Sequence, residues 1–368
     1  MAARSFYSGL GSWKSAPVRI VVVTTSFPRS AEDPSGHFVR SSALALARAG
    51  HEVHVIAPGG SPLDPPRDDE RITVHRAGGG ALFAWPGALS RAREAPWRLI
   101  SAGPFALAVA FHLRQIGPVD RAIAHWIVPS AFPLLLRERA PLEVVAHGAD
   151  VRLLRSAPRP IRERVLATLL DRGAHFTFAA TALLASLEGT VSPAIAAALD
   201  RVARVEPPAI DVPDVASAAK TLRDGLALGE GERLVVAVAR LLASKRVELA
   251  IDAALALGPS ARLVVIGDGP ERAALEKRAA PLGARVRFTG ALPRREALAW
   301  VAAADVLLHP SGVEAAPTVV REARALGTRV VACDAGDVRA WSRDDAGIQM
   351  VEPAGAAIAA AVAGGSHG

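Results

Sequence analysis

Arg240 and Lys245 lie five residues apart in VAVARLLASKRVELAI, just past an apolar run and before the next helical segment. A departing nucleoside diphosphate builds negative charge on its phosphates. Cations fixed beforehand in a water-poor cleft stabilise that transition state more than the ground state. Arginine offers a bidentate fork and lysine a point charge, so the pair suits a diphosphate. The alternative for each alone is an ordinary solvated loop cation. A second constellation is DVLLHPSGVEAAPTVVREARALGTRVVA, in which an apolar strand runs into a polar turn carrying Glu314 and a helix opens near Pro317 and Thr318. Proline suits the first helical position, and the free N–H groups and dipole there attract an anion. Glu322, about one turn further in, is placed to accept hydrogen bonds from ribose hydroxyls. Either glutamate alone also reads as a cap or dipole partner.

In VVAHGAD a strand ends at His147, Gly148 and Asp150, with the earlier strand end His125 and Trp126 expected nearby. A histidine there can hydrogen-bond a sugar hydroxyl or serve as a structural core group. Gly36, in the loop FPRSAEDPSGHFV, precedes a helix and can bring backbone N–H groups to phosphates. Gly267, in VVIGDGP, follows a strand and reads either as a donor-facing turn or as a simple tight turn. Neither loop is a GxGxxG or Walker loop. HExxH, CxxC and a DxD-like pair after a strand are absent, so no tightly held metal is implied. The absence of GxSxG removes the commonest hydrolase reading.

The elements that must position these residues alternate. RIVVVTTSF, EVHVIAP, RITVHRAG, DRAIAHWIV, EVVAHGAD and HFTFAAT read as buried strands separated by helices, among them a largely buried one in WRLISAGPFALAVAFHLRQIG. The proline-bearing stretch RVARVEPPAIDVPDVASAA breaks the alternation, which restarts at RLVVAVAR and runs through ARLVVIGDG, RVRFTG, DVLLHPS and TRVVACD. The expected organisation is α/β, with two doubly wound Rossmann-like domains at 1–205 and 226–368 and a linker at 206–225. Ligands are then expected in the loops after the strands, in a cleft between the domains. The Ala-rich tail AGAAIAAAVAGGSHG is nearly featureless.

A chain of 368 residues exceeds the size at which one core keeps growing, in keeping with two domains. Cys333 is the only cysteine, so nothing calls for an oxidising compartment. The N-terminus lacks the apolar core of a signal peptide, and the apolar stretch from Leu99 to Leu113 falls short of a membrane span; the expected location is cytoplasmic. Residues 1–205 hold 24 Lys/Arg against 16 Asp/Glu, and the remainder 19 against 20. The basic first domain suits peripheral contact with acidic headgroups or a phosphorylated acceptor, or else reflects arginine-rich solvated faces. Without a basic, aromatic strip, nucleic acid is not expected as a partner.

Taken together, these segments resemble the GT-B fold retaining glycosyltransferases of family 4, over most of the chain. The family's two glutamates separated by seven residues match Glu314 and Glu322 in EAAPTVVREARALGTRVVA. Its phosphate-binding cations match Arg240 and Lys245 in VARLLASKRVELA. HGAD, AHWIVP, PPAID, VVIGDGP and VRFTGALPRREALAWVAAADVLLHPS are weaker matches. The resemblance implies transfer of a sugar from a nucleotide diphosphate sugar, a co-substrate rather than a cofactor, to a glycan or lipid-linked acceptor in envelope polysaccharide assembly. Retention and independence of metal are implied with it. Glu314 then touches the donor sugar, Glu322 the ribose, Arg240 and Lys245 the diphosphate and His147 the transferred sugar. Gly36, Gly267, Leu292, Ala316, Pro317 and Thr318 complete the donor contacts. This chain departs from the family in having Arg246 where glycine is usual, and CDAGDVRAW in place of a Gly-Gly-x-x-Glu-like turn. The family's C-terminal helix that crosses back onto the first domain is expected to be missing, leaving an apolar groove for a partner protein or a dimer mate. The alternative readings are a non-catalytic glycosyltransferase-like subunit and a nucleotide-sugar epimerase on the same fold.

Overall fold

The computed structural model describes residues 17–30, 33, 35–83, 88–137 and 139–364; the N-terminal segment 1–16, part of the FPRSAEDPSG loop and the last residues of the tail lie outside the described residues. The chain divides into two compact units, with the boundary between Ala209 and Ile210.

The first unit is built on eight strands: β1 (Arg19–Val23), β2 (Glu52–Ala57), β3 (Arg67–Asp69), β4 (Ile72–Arg76), β5 (Arg121–His125), β6 (Leu142–Ala146), β7 (His175–Phe178) and β8 (Ala203–Val205). Their order is β3-β4-β2-β1-β5-β6-β7-β8, parallel except for the β3 edge. The winding reverses between β1 and β5, which is where a doubly wound sheet opens a crevice beyond its strand ends. The short antiparallel β3 was not expected, because its sequence RDD carries no apolar signal. It is held by pairing with β4 and by Arg40, whose guanidinium grips Asp69 at 2.6 and 2.7 Å.

The second unit carries β9 (Arg233–Val238), β10 (Ala261–Ile266), β11 (Val286–Gly290), β12 (Val306–His309), β13 (Arg329–Ala332) and β14 (Ile348–Met350) in the order β11-β10-β9-β12-β13-β14. All the pairings in this sheet are parallel. Its switch point lies between β9 and β12. Alternate residues of β9 divide between the two faces, Leu234 and Val236 into one core layer and Val235 and Ala237 into the other. Both faces are therefore covered, as a parallel sheet requires.

Three expectations need correction. Residues 216–224, placed within the linker, form the helix Ala216–Asp224, which buries Ala219 in the core of the second unit. The tail thought featureless forms the helix Gly355–Gly364; Ile358, Ala361 and Val362 pack into the same core layer as Ala250 and Ala254 of the helix Val247–Leu257. Alanine alone marks no face, so only the packing partner reveals the helix. The segment from Pro96 to Ile116 is not largely buried. It is a 3₁₀ turn followed by the helix Ala102–Ile116, together 21 residues long, and 28% of its most apolar window is buried. Its inner face, with Phe105, Val109 and Leu113, packs on the sheet, while Ile100 and Leu107 are 76% and 74% exposed.

Candidate active site

The switch point of the second sheet gathers the charged residues. β9 leads through Ala239 to Arg240 and a single 3₁₀ turn, Ala243–Lys245, while β12 ends at His309 and enters the loop that carries Glu314. The two loops are laced together. Gly312 N–H donates to the Ser244 carbonyl at 2.9 Å, and Lys245 Nζ lies 2.5 Å from Glu314 Oε1. Arg246, in the left-handed region with φ 50°, caps the helix Val247–Leu257. Its guanidinium packs so closely on Gly312 that a Cβ there would lie 2.5 Å from it. At this position, where the resemblance leads one to expect glycine, an arginine adopts a left-handed backbone conformation and braces the opposite loop.

Pro317 is the N-cap of the helix Thr318–Ala325, with extended backbone and no side-chain cap bond to the first turn. The start of this helix keeps the character of an anion site. Ala316 precedes it, half-buried, in the same loop. On the neighbouring side, Asp337 N–H donates to the Ala315 carbonyl at 3.1 Å. The CDAGD turn that departs from the family pattern therefore still supports the Glu314 loop.

Glu322 is 5% exposed. Its Oε1 accepts from Arg294 Nη2 at 2.6 Å and from Nε at 3.2 Å, and Arg294 also donates to the Asp211 carbonyl at 2.6 Å. Glu322 thus ties the helix Thr318–Ala325 to the helix Arg294–Ala303 and to the segment entering the unit. Arg294 was not anticipated as its partner, since nothing in the spacing of the two residues links them. Leu292 is a half-buried member of the core below this region. Gly267, with φ 133°, is required by the protein itself: a Cβ would lie 1.8 Å from the Ala239 carbonyl oxygen. It stacks the GDG turn against the segment that presents Arg240.

His309 was also missed, for want of any motif around it. It is 3% exposed, its Nε2 lies 3.6 Å from Glu314 Oε1, and that nitrogen has no hydrogen-bond partner. Burial pushes its pKa down to about 4, against the pull of Glu314. Near neutral pH it is an uncharged imidazole beneath the Lys245–Glu314 pair.

The first unit has a different arrangement at its own switch point. His125, at the end of β5, stacks on His147 at the end of β6, with ring centroids 5.1 Å apart and planes 6° apart. Nδ1 of His125 lies 2.8 Å from Nε2 of His147, a spacing at which one imidazole donates to the other. Phe38 and Trp126 each approach His147 with centroids 4.8 Å away. Burial pushes His125 down to about 3 and His147 well below its ordinary value, so both are neutral. Asp150, 2% exposed, accepts N–H bonds from Ile127 at 2.9 Å, His147 at 3.1 Å and Gly148 at 3.0 Å. That carboxylate adds a further tie between the HGAD and AHWIVP segments. Burial raises its pKa and the N–H bonds oppose the rise. Gly36, with φ 61°, caps the helix His37–Arg48 without a side-chain bond, and a Cβ there would lie 2.1 Å from the Ser26 carbonyl oxygen.

The expected residues therefore form two sets, Arg240, Lys245, Glu314, Pro317, Thr318 and Glu322 in the second unit and Gly36 and His147 in the first. Among the described residues no group of three or more His, Cys, Asp or Glu side chains is disposed to hold a metal ion.

Residues 219–363 match the model of the family "Glycosyl transferases group 1". The chain is 30% identical over 336 residues to D-inositol 3-phosphate glycosyltransferase of Xylanimonas cellulosilytica, an alignment covering 86% of this chain and 78% of that protein. It is 26% identical over 342 residues to TuaC of Bacillus subtilis (strain 168), a glycosyltransferase named for teichuronic acid biosynthesis, covering 87% and 82%. Among solved structures, sucrose-phosphate synthase from Thermosynechococcus elongatus superposes with a TM-score of 0.71 at 22% identity, covering 94% of this chain and 88% of the other.

Proposed function

The chain belongs to the group 1 glycosyl transferases and has the GT-B fold, and on that premise we propose that it is a retaining, metal-independent enzyme that moves a sugar from a nucleotide diphosphate sugar to a glycan or lipid-linked acceptor. The observation that carries this reading is the pairing of Lys245 with Glu314 across the β9/β12 switch point, in loops that also carry Arg240 and lead into a helix start without a side-chain cap. A donor diphosphate seated there draws Lys245 from Glu314 to its phosphates, leaving the carboxylate to accept from hydroxyls of the donor sugar. As the bond from the anomeric carbon to the diphosphate breaks, Arg240, Lys245 and the helix start stabilise the charge left on the phosphate oxygens. The acceptor oxygen bonds to the same face of that carbon, and its proton passes to the departing phosphate. No protein base is needed, and the two cations supply the countercharge that a metal would otherwise bring.

His147, uncharged and held by His125, takes the role of a neutral hydrogen-bond partner for a sugar hydroxyl. Glu322 holds the ribose with the carboxylate that Arg294 orients. The reaction is placed in envelope polysaccharide assembly, at the inner face of the membrane, in keeping with the biosynthetic name of TuaC and the basic first unit.

The test is a thermal-shift and donor-turnover screen of the purified chain against UDP, GDP, ADP and their sugar conjugates, with a chelator present. One nucleotide family is expected to raise the midpoint, with the product anomer matching the donor by NMR. Loss of activity in chelator would overturn metal independence, an inverted anomer would overturn retention, and the absence of any nucleotide response would leave a non-catalytic subunit.

A further inference from the structure

The segment Pro96–Ile116 has two faces. Phe105, Val109, His112 and Leu113 are buried toward the sheet, and the opposite side presents Trp97, Leu99, Ile100, Leu107 and Phe111 to solvent, with Leu136 of the helix Ala131–Arg137 also 83% exposed. Leu107 and Phe111 stand one turn apart on the outer side of the helix Ala102–Ile116, and the 3₁₀ turn before it, which buries none of its residues, adds Trp97, Leu99 and Ile100. Monomeric soluble proteins seldom leave so many large apolar side chains exposed along a single element.

The charges around it are one-sided. Residues 88–116 contain Arg91, Arg93, Arg98 and Arg114 against the single acid Glu94. Glu94 is itself 3.1 Å from Arg98 Nη1. Arg93 and Arg114 are exposed near the two ends of the apolar face, and the Arg98 guanidinium lies 5.9 Å from the Trp97 ring centroid. Large apolar groups bracketed by arginines, with a tryptophan at one end, form the pattern of an element that lies in the plane of a membrane interface. The run is long enough to span a bilayer, but spanning would strip Phe105, Val109 and Leu113 from the sheet. A second copy of this chain docked symmetrically on the same face would set these arginines against their own images, an arrangement that like-charge repulsion opposes.

We propose that the Trp97–Phe111 face is the surface by which this protein seats on an anionic lipid bilayer, its apolar side chains entering the headgroup boundary and its arginines pairing with lipid phosphates. The proposal deepens the membrane-facing part of the functional reading and rests on it for the partner. It does not depend on sugar transfer.

The experiment is flotation of the full chain with vesicles of phosphatidylcholine alone and of phosphatidylcholine mixed with phosphatidylglycerol, at low and raised salt. Wild type is expected to float with the anionic vesicles, to float poorly with the neutral ones, and to be released by salt. The exposed double substitution Leu107→Glu/Phe111→Glu is expected to weaken flotation by at least about tenfold, because each buried CH₂ group contributes to insertion, with the thermal midpoint and its nucleotide response unchanged. Arg93→Glu/Arg114→Glu tests the charge half and is expected to remove the preference for anionic lipid. Wild type that fails to float, or either variant floating as wild type does, overturns the proposal. A dimer by light scattering that the Leu107/Phe111 variant abolishes, in a chain that ignores vesicles, would give the face to a second copy. Flotation without any nucleotide response would sink the transferase reading and leave the membrane surface standing.

Discussion

The two units place their candidate residues at the same point of the same topology, the switch point of a doubly wound sheet, and furnish it in opposite ways. Between β9 and β12 the site is ionic, with Lys245 paired to Glu314 and Glu322 to Arg294. At the ends of β5 and β6 it is made of two neutral stacked imidazoles flanked by Phe38 and Trp126, with the carboxylate of Asp150 spent on backbone N–H groups. Charge is useful where a ligand is itself ionic and its charge grows during reaction. Neutral groups suit hydroxyls, which need direction more than field. The fold supplies the crevice, and under the proposed function the side chains at the strand ends decide what kind of ligand each half receives.

That contrast is broken most directly by removing the charges. Lys245→Ala and Arg240→Ala are each expected to lower kcat/KM by about 10²–10³-fold, the usual loss on deleting one preorganised electrostatic partner. A change under threefold in either variant would mean that the ionic half does not handle the donor.

The neutral half is expected to answer through stability. Asp150→Ala leaves the N–H groups of Ile127, His147 and Gly148 without their acceptor, at about 1–3 kcal/mol for each group that water cannot reach. A fall in the urea midpoint equivalent to at least about 2 kcal/mol is expected, and an unchanged midpoint would show that the turn holds itself.

Acid sharpens the comparison next. His125, His147 and His75 in the first unit, and His309 in the second, have folded-state pKa values below the ordinary histidine value. The unfolded chain therefore binds protons that the folded chain refuses. Stability is full above about pH 6.5 and is lost as pH falls toward the folded values of about 4 for His75 and His309 and about 3 for His125. Thermal midpoints measured from pH 7.5 down to pH 4.5, roughly the upper part of the window these values define, should fall more steeply for wild type than for His125→Gln. Parallel curves would remove the buried imidazole pair as a source of acid sensitivity.

The smallest effect is expected from Glu322→Gln, which keeps an oxygen for Arg294 and gives up only the charge. The thermal midpoint should move little, by the equivalent of about 1 kcal/mol, while KM for the donor rises several-fold and kcat holds. A fall in kcat with KM unchanged would take Glu322 out of ground-state ribose binding.

Much of this was legible in the chain. The strand ends at Val23, His125, Ala146, Val238 and His309 follow from short apolar runs that halt at polar or glycine-bearing turns, because a strand buried on both faces must be apolar throughout. With the strand ends came the positions of Arg240, Lys245, Glu314 and His147 in the segments that follow them, where ligands are expected in this architecture. The pairings were not legible. Lys245 and Glu314 are 69 positions apart, His125 and His147 22, and Arg294 and Glu322 28. No local spacing encodes such contacts.

By itself the sequence determined the alternation of strands and helices, the unit boundary near its prolines, and the identity of the charged and imidazole groups at the strand ends. Those are local properties of periodicity and residue type. Tertiary structure decided which of these groups face one another, which way the Pro96–Ile116 segment turns its apolar sides, and that the alanine tail is a helix. Burial and pairing depend on what another part of the chain places opposite. An apolar residue carries the same tendency to leave water whether the fold gives it a core or leaves it on a face for something else to cover.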